Sequence, residues 1–103
     1  MKVIKELANH IREELEDAEN YAWLAIHNKA DHPALADLYS RLSMAEIDHS
    51  NMLHKEAVDI IEKHKRDGHE APAAMKAVWD WEHEKFMEDL AEVRRLLELY
   101  KNS

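Results

Sequence analysis

Three residues of this 103-residue chain combine types and spacing that suit metal chemistry. Glu46 and His49 form Glu-x-x-His, which on a helix puts a carboxylate and an imidazole one turn apart on one face. At about 100° per residue, Glu46 falls roughly +40° and His49 roughly −20° from Leu42, among leucines. Glu14 falls about −60° from Ile11, between Leu7, Ala18, Tyr21 and Ala25. A carboxylate in an apolar stripe costs several kcal/mol unless it is paired, protonated or bound to a cation, about the whole stability of a small domain. Three such residues point to a common cause. Carboxylate oxygens with one imidazole nitrogen suit iron or manganese. The plainer alternative is a buried salt cluster in which a protonated Glu pairs with a charged His.

The elements that must position them are helices. Only Asn28 to Pro33 and Asp67 to Pro72 interrupt a three-and-four apolar rhythm. Pro33 suits a first helical position behind Asp31 or His32, and Gly68 suits a helix end that needs φ > 0. Lys63 to Arg66 complement the negative end of that helix dipole. The spacing predicts helices over 2–28, 33–66 and 72–101, each roughly 40 to 50 Å long at 1.5 Å per residue. Expected buried stripes are Ile4, Leu7, Ile11, Leu15, Ala18, Ala22 and Ala25; then Leu35, Leu38, Leu42, Ala45, Met52, Leu53, Ala57 and Ile60; then Met75, Trp79, Phe86, Leu90, Val93, Leu97 and Tyr100. The expected fold is all-α, an antiparallel helical hairpin plus a long third helix. Counted from a turn centred near residue 31, Glu14 lies 17 residues before, and Glu46 and His49 lie 15 and 18 after. The three side chains should meet across the hairpin.

Composition narrows the rest. Fourteen Lys and Arg against 22 Asp and Glu give a net charge of −8, which argues against nucleic-acid and anionic-membrane partners. A single domain spanning 1–103 is expected from the length. One Gly, two Pro and no Cys exclude disulfide scaffolds, thiolate metal sites and cysteine catalysis. With no apolar run long enough for a signal core or a membrane span, a cytoplasmic location is expected.

At these residues the sequence resembles the ferritin-like superfamily, specifically its rubrerythrin and encapsulated-ferritin branches. Glu14 followed seven residues on by Tyr21, then Leu24 and Ala25, looks like the family's metal-ligand helix. Ala45, Glu46 and His49, in a segment begun by Pro33, look like the partner helix. The acidic run Glu13, Glu14, Leu15 and Glu16 is similar to that of encapsulated ferritins. The resemblance covers roughly residues 10 to 60. It implies a di-iron site for Fe(II) oxidation, with Glu14 as a terminal carboxylate, Glu46 bridging and His49 as the nitrogen ligand; manganese fits the same ligand types. Tyr21 would hydrogen-bond a ligand carboxylate or serve as a plain core aromatic, and Glu16 would help form an iron entry site; by their own positions Glu16 and Glu19 read as surface charge, with drawing cations toward the site as the alternative. One Glu helix and one Glu-x-x-His helix make half of the family's four-helix site, so the resemblance implies a homodimer that completes it. Trp79, Trp81, Glu82 and His83 match no family motif. An encapsulin shell comes with the resemblance as a partner, but Tyr100 to Ser103 do not resemble its targeting tail.

Three further residues read first as a solvated or salt-bridged edge and second as another cluster. Glu56 and Glu82 lie 13 residues either side of a turn centred near 69, and with His83 they are candidates for a second metal site. Trp79, Trp81 and Phe86 read as packing and dimer contacts, and His10, His27, His32, His54, His64 and His69 receive no role. The rival to an iron protein is a metal-free dimeric helical module that binds partners, with its Glu and His residues setting register.

Overall fold

The structure, a computed structural model, describes residues 2–68 and 73–103, with the side chains at 73–75 and 78 outside that description. Helix is the only regular structure among the described residues: α1 Lys2–Asn28, α2 Pro33–Arg66 and α3 Ala73–Asn102, running up, down and up. His32 occupies the N-cap of α2 with Pro33 behind it, where the missing N–H costs nothing. At the other end the Asp67 N–H reaches the Lys63 carbonyl, and Gly68 turns out of the helix at φ 83°. A side chain there would strain the backbone, so the single glycine sits where the chain needs it. The expected start of the third helix at Pro72 lies outside the described residues. Among the described residues no helix is long and apolar enough to cross a membrane.

The stripe expected on α1 is the one that packs. Ile4, Ile11, Leu15, Ala18, Ala22 and Ala25 are buried. On α2 the expectation needs correcting. The buried face is Ala36, Ser40, Ser43, Ile47, Ser50 and Ala57, centred about 100° around the helix from Leu42. Leu35, Leu38 and Met52 are exposed instead, and Leu42 and Leu53 are half-buried. The reason is steric: α1 presents alanines, and only a face of Ser and Ala lets the two backbones close on them. Ser43 Oγ, fully buried, donates to the Ala18 carbonyl at 2.7 Å, a bond that needs near backbone contact. Ser40 and Ser50 satisfy their hydroxyls within α2 by donating to Asp37 and Ile47 carbonyls, each at 2.7 Å.

α3 lies mainly on α1 and touches α2 little. Phe86, Leu90 and Val93 join Ile11, Leu15, Ala18 and Ile47 in one core cluster, and Leu96, absent from the expected stripe, is fully buried. Met75 lies outside the described side chains. The top of α3 is held by Lys29, in the first turn region, whose Nζ donates to the Tyr100 and Ser103 carbonyls and sits 4.8 Å from the centroid of the Tyr100 ring. A cation at the carbonyls of a helix C-terminus complements the helix dipole. Lys29→Met removes those donors and is expected to cost about 1 kcal/mol, lowering Tm by roughly 5 °C in a thermal melt.

The result is a rod of 57 × 18 × 17 Å. Its radius of gyration of 16.5 Å exceeds the ~13 Å of a compact chain of this length, so much side surface stays open.

Candidate metal centre

Glu14 on α1 and Glu46 and His49 on α2 come together as the register required. One ligand-type atom from each lies within 4.8 Å of the others, and among the described residues no other group of three does so. His49 Nδ1 is 3.6 Å from Glu14 Oε2 and 3.8 Å from Glu46 Oε2, too far for hydrogen bonds. The carboxylates are mostly enclosed, with 18% and 20% of their side chains exposed, while His49 is half exposed. The cluster opens to solvent at its imidazole. Arg12, which approaches α3, and Glu14 lie about 160° apart around α1, so Glu14 sits on the flank that α3 leaves bare.

One atom is out of balance. Glu46 Oε2 is the only described buried side-chain polar atom that lacks a hydrogen-bond partner. Leaving a carboxylate oxygen so placed is costly, and a cation between the three donors would relieve it. Two carboxylates and an imidazole are donors that suit iron or manganese, so the residues present fit such an ion.

His10, which has no role by its place on the helical wheel, lies beside the cluster. Its Nε2 lies 3.2 Å from Glu14 Oε1, one turn below on α1, and holds that carboxylate toward the cluster. The i, i+4 spacing to Glu14 was the available signal. Tyr21 stacks on Tyr39 with ring centroids 6.1 Å apart, and among the described residues its hydroxyl bonds neither Glu14 nor Glu46. Glu16 is exposed and Glu19 half-buried, both on faces of α1 turned well away from Glu14.

Glu56, Glu82 and His83 form the solvated and salt-bridged edge rather than a second cluster. Glu56 is exposed; Glu82 Oε1 lies 3.8 Å from Arg12 Nη1; and His83 meets His54 instead. The rotation of α2 explains the change, because Glu56 and His54 lie about 160° apart around it and only one can face α3. His54 Nε2 and His83 Nδ1 are 2.9 Å apart, and the His54 ring stacks on Phe86 at 4.6 Å and 8° and on Trp79 at 6.0 Å. Arg12, Glu82, Lys85 and Asp89 line the same shallow cavity.

Burial, and then the neighbouring His83, hold His54 below its ordinary value of 6.5. The unfolded chain therefore takes up this proton at a higher pH than the folded one. In metal-free protein the stability that depends on neutral His54 is complete above about pH 6.5, falls as the pH drops below it, and stops falling once the lowered folded value is passed. Melting in EDTA between about pH 8 and 5 should show this slope, and His54→Phe should flatten it.

The chain matches no known family model, no curated protein and no solved structure.

Proposed function

We propose that this chain is a ferritin-like di-iron carboxylate protein that oxidises Fe(II), with Glu14, Glu46 and His49 forming half of a site that a second copy completes. The observation that carries the reading is Glu46 Oε2, buried without a hydrogen-bond partner in a residue that offers a donor atom within 4.8 Å of a second carboxylate and an imidazole. One chain offers two carboxylates and one imidazole. A twofold pair offers four and two, the donor set of four-helix di-iron bundles. His49 and the exposed leucines share the uncovered flank of α2, which suits a partner seated there.

Fe(II) is the substrate in this reading. Two Fe²⁺ each lose one electron, and O₂ takes both electrons with two protons to leave as hydrogen peroxide; with peroxide as acceptor the same two electrons and two protons give two waters. The carboxylates offset the charge gained on oxidation, and His10 holds Glu14 in place. The net charge of −8 draws Fe²⁺ toward the surface. Manganese fits the same donors, and a cytoplasmic location completes the proposal.

The test is Fe(II) added in air to metal-free protein. A ferric absorbance rise that saturates near two irons per dimer supports the reading. A protein that takes up no iron yet stays dimeric overturns it and leaves a metal-free helical interaction module.

A further inference from the structure

A second set of donors lies on the other side of α1. We propose that His54 and His83 form a bis-imidazole metal site that clasps α2 to α3 and takes a nitrogen-preferring divalent ion, Cu²⁺ or Ni²⁺ ahead of Zn²⁺. The two ring nitrogens come from different helices and stand 2.9 Å apart. Two nitrogens at about 2.0 to 2.1 Å from one metal and at right angles are separated by about 2.9 Å, whereas tetrahedral ligands need about 3.3 Å. The spacing therefore matches neighbouring positions of a square or octahedral centre, the geometry of Cu²⁺ and Ni²⁺. At 2.9 Å the two nitrogens share a hydrogen-bonding proton, which an ion must displace to an outer ring nitrogen before it can use both lone pairs; burial of His54 favours the neutral form from which this shift is possible.

The surroundings agree. His54 is braced between Phe86 and Trp79, so its ring is set before any ion arrives. His83 is exposed, which leaves the remaining coordination positions to water. Among the described residues this pair makes the only hydrogen bond between α2 and α3, so an ion here would tie together the two helices that touch least. The site differs in kind from the carboxylate cluster and does not rest on the iron reading. His54 lies five residues beyond His49, about 7.5 Å along the helix, and on another face.

The experiment uses the Glu46→Ala/His49→Ala chain, which lacks the first cluster, titrated with Cu²⁺ and followed by calorimetry and by paramagnetic resonance. We expect one Cu²⁺ per chain, hyperfine splitting from two imidazole nitrogens, and a higher Tm with the metal bound. Adding His54→Phe keeps the stack on Phe86 and removes the ligand; adding His83→Ala removes the other from an exposed position. Each should weaken binding by more than the roughly 10–100-fold that loss of an outer-shell partner costs. Absence of that binding in the parent chain overturns the proposal, as does unchanged affinity in either folded variant. Loss of iron oxidation by the parent, with its Cu²⁺ site intact, separates the two sites.

Discussion

Glu46→Ala is expected to abolish Fe(II) oxidation while leaving the fold as stable as before, or more so. Losing a metal ligand should cost more than the roughly 10–100-fold typical of losing an outer-shell partner, so ferric absorbance should grow no faster than in protein-free buffer. Stability should move the other way. In metal-free protein Glu46 Oε2 is enclosed without a hydrogen-bond partner, and its removal relieves a desolvation cost of about 1–3 kcal/mol. A residue kept for structure would lose stability on truncation; one kept for a ligand would not. Glu46→Gln preserves the shape and should fail equally in oxidation. Iron oxidised at the normal rate by either variant removes Glu46 from the site, and a sharp fall in Tm makes the cluster structural.

Leu38→Glu is expected to split the dimer and silence the site from a distance. Leu38 is 45% exposed, two turns before Glu46, and touches none of the three candidate ligands by sequence spacing. The chain exposes 6947 Å², against about 6,000 Å² for a compact monomer of its mass. The excess of about 900 Å² is close to the ~800 Å² that each partner buries in a standard interface. Leu35, Leu38 and Met52 account for apolar parts of it. Sedimentation should give twice the 12.1 kDa chain mass for the natural sequence and a single chain mass for Leu38→Glu. Oxidation should vanish with the dimer although Glu14, Glu46 and His49 are intact. A monomer that still oxidises two irons rules out sharing; a variant that stays dimeric places the interface elsewhere.

Helix ends and register were readable because they depend on local rules: Pro33 and Gly68 mark ends, and a fixed rise per residue sets Glu14 opposite Glu46 and His49. The rotation of α2 was not. A helical wheel ranks faces by hydrophobicity and chose the leucines, whereas the contact with α1 is decided by how near two backbones can come, which favoured Ser40, Ser43 and Ser50. That rotation of the helix also explains why Glu56, Glu82 and His83 do not meet. It carried Glu56 outward and brought His54, which looked like an outer-face residue, onto Phe86. His10 lies off the apolar stripe, where only its i, i+4 spacing to Glu14 marks it.

The serine and alanine seam between α1 and α2 also acts as a gauge. Glu14 belongs to one helix and Glu46 and His49 to the other, so the bite of their donors is set by the thickness of what lies between the backbones. Ala18 and Ser43, which share the 2.7 Å bond, are that spacer. A change at either small residue would therefore alter the donor spacing, and with it the ion that such a cluster could hold, without replacing any of the three donors.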